Sequence, residues 1–195
     1  MAGIITLSDA DRHTLLEAAR AAVLHGVEHR QAMTIDPASY APVLRTIAAT
    51  FVTLHVDGQL QGCVGTLEAS RPLIADVVHH AYQAAFDDPR FAPLEEHQVP
   101  QLVVHISILD PAEEMTFTDE AHLLVQLRPG IDGLILEEPG GLLGRRRRGT
   151  FLPSVWEMLP QPAAFVAHLK RKAGLPMDHW SPRMRVWRYT TQSVP

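Results

Sequence analysis

The sequence predicts an α+β fold with a largely antiparallel sheet flanked by helices, and three observations support this prediction. Segments typical of helices and of strands are interleaved, but without the regular strand–helix–strand alternation of a parallel sheet. An Asp57-Gly58 pair joins two strand-like runs, ATFVTLHV and QLQGCVGTL. Such a pair is typical of a tight hairpin, because both turn positions need positive φ.

Four segments have the signals of helices. Ser8 precedes LLEAARAAVLHGVEH, whose apolar residues recur at helical spacing, and its hydroxyl is expected to cap the first turn. Pro72 begins a second helix, which the prolines of DDPRFAPL end. A short helix is expected in DEAHLLVQL, and a last one in PAAFVAHLKRKAG with Gly174 as its C-terminal cap.

The remaining strands are expected from Leu102 to Leu109, in GLILEE and in the closing MRVWRYTT. The connection DPASYAPVL is interpreted as irregular because it is rich in proline and small residues. The stretch PGGLLGRRRRGTF is rich in turn residues and is interpreted as a loop.

Composition and length indicate one globular domain covering residues 1–195. The chain is 46% hydrophobic and 20% charged, which is ordinary for globular proteins. A formal net charge of −5 argues against a general DNA-binding protein. The N-terminus does not resemble a signal peptide, and no apolar run reaches the roughly 20 residues of a membrane helix. A cytoplasmic location without membrane association is therefore expected, in agreement with the single cysteine, Cys63.

Four segments together resemble the AMMECR1 family, also called protein A of the AmmeMemoRadiSam system. They are FVTLHVDGQLQGCVGTL, AYQAAFDDPRFAPL, GTFLPSVWEMLPQPAAFVAHLKRKAGL and VWRYT, in one order across nearly the whole chain. The resemblance implies two intimately packed lobes of strands and helices. It also implies a Memo-like protein and a radical-SAM enzyme as partners, but no defined reaction. The family usually has arginine before the glycine of its GC-[IV]-G motif, whereas this chain has Gln61.

Cys63 is the first candidate catalytic residue. Glycines beside it let the backbone approach a neighbouring group closely, and a thiol held there becomes a nucleophile if its pKa is lowered. In the alternative interpretation, Cys63 is a small buried hydrophobic residue and the glycines permit tight packing. The same motif supplies three candidate binding residues: Gly62, Gly65 and Thr66.

The DPRF motif supplies two further candidates, Asp88 and Arg90. In a functional interpretation they lie beside Cys63, where the arginine binds a carboxylate or phosphate and the aspartate orients a proton carrier. In a structural one, an aspartate caps the end of the helix and Arg90 pairs with a carboxylate.

No metal site and no cofactor are predicted. His25 and His29 have metal-compatible spacing, but no glutamate completes an H-E-x-x-H motif. One cysteine excludes a Cys-rich zinc or iron–sulfur site within one chain. His55 and His105 each lie in a predicted strand, and they are interpreted either as members of a shared site or as ordinary core or surface histidines. The glycines of PGGLLG match neither a phosphate-binding loop nor a dinucleotide fingerprint.

The four consecutive arginines, Arg145, Arg146, Arg147 and Arg148, are the strongest charge run. They are interpreted either as a solvated loop or as a binding site for phosphate, RNA or an acidic partner, which Lys170, Arg171 and Lys172 would extend. Besides a pure protein scaffold, two functions are therefore expected. One is an accessory enzyme or substrate-handling subunit of a radical-SAM- and Memo-linked modification pathway, with a cleft near Cys63. The other is a non-catalytic module that binds RNA or protein through the Arg145–Arg148 loop.

Aromatic residues of the C-terminal third are expected to pack between the two lobes. They are Phe151, Trp156, Phe165, Trp180 and Trp187.

Overall fold

The computed structural model describes residues 5–140 and 145–195. Its helices are α1 (Asp9–His29), α2 (Leu73–Phe86), α3 (Glu120–Gln126) and α4 (Pro162–Lys172). Its strands are β1 (Ile47–Val56), β2 (Gln59–Gly65), β3 (Arg71–Pro72), β4 (Leu102–Leu109), β5 (Glu113–Glu114), β6 (Gly133–Glu138), β7 (Arg147–Phe151), β8 (Arg185–Tyr189) and β9 (Thr191–Val194). Short 3₁₀ helices cover Pro37–Ser39, Pro42–Arg45, Glu96–Gln101 and Pro153–Glu157.

The chain divides into two compact units. The first comprises Met1–Asp110 together with Gln192–Pro195, and the second is Pro111–Thr191. The second unit is therefore inserted between β4 and β9 of the first. The mixed helices and antiparallel sheets confirm the predicted α+β class.

The first unit is built on a sheet with the strand order β2-β1-β4-β9, in which β3 also pairs with the beginning of β1. β1 is antiparallel to β2, β3 and β4. Alternate side chains of β1, such as Val52 and Leu54, are buried in a core that includes apolar residues of α1 and α2. This alternation is the signature of a strand with one face on a core, and it made β1 recognisable in the sequence.

The predicted hairpin joins β1 to β2. Asp57 has φ 50° and Gly58 has φ 74°, as a two-residue turn between twisted strands requires. The pairing does not continue evenly: Val56 faces Gln59 and His55 faces Leu60, but Leu54 faces Gly62. Gln61 is the extra residue of a β-bulge, which shifts the register of everything beyond it by one position.

The second unit is built on a sheet with the strand order β5-β8-β6-β7. Every residue of β6 is buried, so this internal strand is a continuous apolar run ending in two glutamates. α4 contributes Phe165 to the core, and this ring stacks on Trp156 with 3.9 Å between centroids. Fully buried Lys170 of α4 donates to the Glu120 carboxylate of α3 at 2.8 Å.

The predicted helix ends are confirmed. The Ser8 hydroxyl accepts from the Asp11 N–H, and the Asp11 carboxylate accepts from the Ser8 N–H, which completes a capping box. Pro72 is the N-cap residue of α2. Gly174, with φ 78°, follows the end of α4, and its N–H donates to the carbonyl of Arg171.

Four predictions need correction. The arginine run is not a loop throughout, because Arg147 and Arg148 belong to β7, where they face Glu138 and Glu137 of β6. MRVWRYTT is not one strand: β8 joins the sheet of the second unit and β9 that of the first. Lys170 is fully buried and so does not extend a surface patch.

The fourth correction concerns the aromatic residues. Most of those expected between lobes instead belong to the core of the second unit: Phe151, Trp156, Phe165 and Trp180. Residues 141–144 of the predicted loop lie outside the described residues. Within the described chain, no helix combines the length and the apolar character needed to cross a membrane.

Candidate thiol site in the first unit

Cys63 lies in β2 on the face of the sheet that points away from α2. Its neighbour Gly62 points toward α2, since a Cβ there would lie 1.9 Å from the carbonyl oxygen of Ala84. Successive side chains of a strand alternate, so Cys63 points the other way. The thiol is half-buried and opposite Thr53 of β1, whose hydroxyl donates to Cys63 Sγ at 3.2 Å.

The DPRF turn holds the peptide backbone of Cys63 from both sides. Asp88 Oδ2 accepts from the Cys63 N–H at 2.9 Å, and Arg90 Nη2 donates to the Cys63 carbonyl at 3.2 Å. β2 is an edge strand in the described part of the chain, so these groups have no strand partner there on that side. Asp88 and Arg90 therefore make the hydrogen bonds to the Cys63 N–H and carbonyl that a neighbouring strand would otherwise make. The structure brings the three candidate catalytic residues together.

Asp88 and Arg90 also form a close, two-point ion pair. Arg90 Nε donates to Asp88 Oδ1 at 2.9 Å and Arg90 Nη2 donates to Oδ2 at 2.6 Å. These hydrogen bonds, helped by those from the backbone, hold the pKa of Asp88 far below its usual range. The same contact raises the pKa of Arg90. Asp88 thus stays ionised at neutral pH, which suits an anchor rather than a proton carrier.

The predicted binding residues of the GCVGT motif contact the protein itself. A Cβ at Gly65 would lie 2.3 Å from the carbonyl oxygen of Thr50, just as one at Gly62 would meet α2. The Thr66 N–H donates to that same carbonyl of Thr50. Close packing inside the unit accounts for the glycines. Gln61, where the family usually has arginine, donates to the carbonyl of Ala92 at 2.8 Å.

A histidine pair lies near the thiol along the sheet. Thr53 faces Cys63 on one side and His105 of β4 on the other, so the three residues form one cross-strand row. The rings of His55 and His105 meet edge to face with 5.5 Å between centroids. His55 Nδ1 is buried and has no hydrogen-bond partner among the described residues. Burial, then the neighbouring His105, lowers the pKa of His55.

Sequence reasoning did not find Thr53. An even hairpin about Asp57-Gly58 would place Thr53 opposite Gly62, and only the bulge at Gln61 brings it opposite Cys63. No periodicity signals a single-residue bulge, although such bulges are frequent at sheet edges. The one-residue shift in strand register therefore made Thr53 unpredictable as the hydroxyl donor to the thiol.

The arginine run lies in the second unit, where it has several different partners. Arg146 forms an ion pair with Glu137, and Arg147 Nη1 donates to the carbonyl of Gly174 at the end of α4. Arg148 faces Glu137 across the β6–β7 pair. Arg145 has no ion pair or hydrogen bond within residues 5–140 and 145–195. In the same part of the chain, no group of three or more His, Cys, Asp or Glu is placed to hold a metal ion.

The fold and this site define an α+β protein of two units, with one cysteine fixed at the edge of an antiparallel sheet. The chain belongs to the AMMECR1 family, whose model matches residues 16–194. A protein of Methanothermobacter thermautotrophicus is 32% identical over 192 residues, which are 95% of this chain and 94% of that one. Protein MJ0810 of Methanocaldococcus jannaschii is 35% identical over 162 residues, 79% of this chain and 76% of the other.

The fold is also similar to a solved structure. The crystal structure of the uncharacterized protein PH0010 from Pyrococcus horikoshii matches with a TM-score of 0.84 and 29% sequence identity. The match covers 96% of this chain and 92% of that one. The α+β architecture is therefore similar to that of PH0010 over nearly the full extent of both chains.

Proposed function

We propose that this AMMECR1-family chain is an accessory enzyme or substrate-handling subunit in which Cys63 is the reactive group. The observation that supports the proposal is the hydrogen bond from the Thr53 hydroxyl to Cys63 Sγ, at a sulfur whose own peptide is held by Asp88 and Arg90. A hydroxyl that donates to sulfur favours the thiolate, which is the nucleophilic form of cysteine.

Arg90 would hold an anionic group of the substrate beside the thiol. Its side chain is 57% exposed, although it is bound to Asp88 at two points. Nε and Nη2 make the hydrogen bonds, and Nη1 has no partner among the described residues. An arginine fixed in this way retains a donor for a carboxylate or phosphate oxygen.

The histidine pair would manage protons in this proposal. A neutral imidazole has one ring nitrogen able to accept a proton, and burial favours the neutral form of His55. His105 lies in the same cross-strand row as the thiol. The Asp88 carboxylate is assigned the positioning role, since its oxygens already bind Arg90 and the Cys63 N–H.

The test is the reactivity of Cys63 with a thiol reagent at neutral pH in the folded protein. Cys63 is the only cysteine, so alkylation reports this site alone. We expect Cys63 to react at neutral pH without denaturation. Thr53→Val removes the donor and should slow this reaction, whereas the control Thr66→Val should leave its rate unchanged. Reaction only after denaturation, or the same rate in Thr53→Val and wild type, would contradict the proposal.

The pathway is a Memo-linked, radical-SAM-linked modification, as the family resemblance implies. The tagged chain, co-expressed with a Memo-like protein and a radical-SAM enzyme, should co-purify with both. The Cys63→Ser variant should co-purify equally well but should lose its function in cells. Absence of a complex would remove the partners from the proposal but leave the thiol chemistry to be judged by alkylation.

Docking of RNA or protein through Arg145–Arg148 has less support. Arg146 pairs with Glu137 and Arg147 binds the Gly174 carbonyl, so the four side chains do not present one uniform cationic surface.

A further inference from the structure

We propose that the second unit has a binding pocket for a small phosphate-bearing anion, held by Arg145, Arg147 and Arg183. These arginines line a pocket of about 390 Å³, a volume within the range of small-molecule sites. The other lining residues are Glu138, Pro139, Gly140, Leu175, Pro176 and His179.

The charge of this pocket is opposite to that of the chain. Three guanidinium groups and one carboxylate line it, which leaves an excess of two positive charges in a protein whose formal net charge is −5. Positive charges that line the same concave surface raise the local concentration of anions. The guanidinium fork also matches the oxygens of phosphate.

Glu138 lies against Arg183 and His179 and offsets one of the three arginine charges. It ends β6, and its side chain is 9% exposed. One carboxylate oxygen lies 3.4 Å from Arg183 Nη2 and the other 3.4 Å from His179 Nε2. Both distances are at the long limit for a hydrogen bond, so Arg183 keeps most of its donor capacity for a ligand. The Arg183 side chain is 60% exposed.

The other two arginines also retain donors. Arg147 uses Nη1 on the Gly174 carbonyl, one of the carbonyls at the C-terminal end of α4. This contact orients the guanidinium of Arg147, and the remaining N–H groups are available to donate to a ligand. Arg145 has no ion-pair or hydrogen-bond partner in the described part of the chain.

A compact ligand fits these observations better than a nucleic-acid strand. Arg146, which lies between two pocket residues in the sequence, is directed to Glu137. None of the described residues that line the pocket is aromatic. Base stacking on aromatic residues is the usual contribution to single-strand binding. Pro139, Leu175 and Pro176 provide apolar walls that suit a small organic phosphate as well as an inorganic one.

The test is calorimetric titration of the purified full chain with inorganic pyrophosphate and, separately, with inorganic phosphate. We expect one pyrophosphate per chain, and a loss of affinity of about five-fold or more in Arg145→Gln and in Arg183→Gln, because each removes charge-assisted hydrogen bonds. The control is Arg185→Gln on β8, whose side chain pairs with Glu114 and does not line the pocket. It should bind as the wild type does.

Arg145→Gln also separates a loss of binding from a loss of folding, because it removes no described contact. Its thermal unfolding should therefore match that of the wild type. Tighter binding of an organic phosphate monoester than of inorganic phosphate would show that the pocket is made for a phosphate group on an organic ligand. The proposal is overturned if the wild type shows no saturable binding, or if Arg185→Gln loses as much affinity as Arg183→Gln. Binding of single-stranded RNA that pyrophosphate does not displace and that Arg146→Gln weakens would overturn it in favour of a polymer site.

Discussion

A carboxylate, a guanidinium and one peptide group interlock where β2 forms the edge of the first sheet. Asp88 is the centre of this arrangement, because its buried carboxylate binds both the Cys63 N–H and Arg90. Without it, Arg90 would lose its ion-pair partner and the Cys63 N–H would lose its hydrogen bond. At the scale of the residue, the position of the Cys63 sulfur therefore depends on the Asp88 side chain.

Replacement of Asp88 by Asn tests this role through stability. Loss of the charge-assisted hydrogen bonds should lower the free energy of unfolding by about 2 kcal/mol at pH 7. This is in the lower part of the range for hydrogen bonds to charged groups, because Arg90 is largely solvated. The folded pKa of Asp88 lies below its ordinary value of 3.8, so its stabilisation is complete above that pH and is lost as pH falls through the folded pKa. Urea unfolding from pH 7 to pH 2 measures both effects.

The difference between wild type and Asp88→Asn should therefore shrink below pH of about 4. Asp87→Asn is the matched control, since Asp87 makes none of these hydrogen bonds, and should change stability little at any pH. A difference that stays constant down to pH 2 would show that the Asp88 charge does not provide the stabilisation.

The hairpin is the feature that matters most at the scale of the element. Its turn needs two residues with positive φ, and its bulge at Gln61 moves Thr53 from Gly62 to Cys63. Turn and bulge together therefore decide which side chain donates to the thiol. A β-bulge beside a candidate site is a common way for a strand to redirect a side chain.

Gly58→Ala should destabilise the protein by about 1 to 2 kcal/mol, because a residue with a Cβ is strained at the φ of 74° that Gly58 adopts. Space is not the cause, since no described atom beyond the adjacent residues lies within 4 Å of the added Cβ. The measurement is the midpoint of urea unfolding. Asp57→Asn is the control and should be nearly neutral, because asparagine also tolerates positive φ. Equal losses in the two variants would show that backbone strain is not the cause.

At the scale of the whole molecule, the described residues form two separate hydrophobic cores. The residues that form the core around α1, α2 and the first sheet are all different from those around α4 and the second sheet. The second unit is an insertion, and the chain returns from it to complete the first sheet with β9. Local opening is therefore expected to follow these units rather than the order of the sequence.

A matched pair of core substitutions tests this expectation. Leu54→Ala on β1 and Leu136→Ala on β6 each empty a fully buried site on an internal strand, which costs about 2 to 5 kcal/mol. Hydrogen exchange followed by mass spectrometry should show faster exchange mainly in β1 and β4 for the first variant, and mainly in β6 and β8 for the second. If each substitution accelerated exchange equally in both sheets, the units would not be separate in stability.

Features that depend on neighbours in the sequence were predictable. The Ser8 cap, the Asp57-Gly58 turn, the strand from Leu102 to Leu109 and the Gly174 end of α4 all appear where local signals place them. Each is decided by dihedral preference, capping or periodicity within a few residues. The candidate residues Cys63, Asp88 and Arg90 were recognisable for the same reason, because each lies in a short, specific motif.

The sequence by itself thus determined the fold class, most elements and the candidate residues Cys63, Asp88 and Arg90. Only the tertiary structure decided that Asp88 and Arg90 bind the peptide of Cys63, that Thr53 donates to its sulfur, and that β9 leaves the second unit for the first sheet. It also decided that Arg147 and Arg148 form part of a strand. The physical reason is that hydrogen bonds between distant segments depend on strand order and register, and neither leaves a periodic signal in the chain.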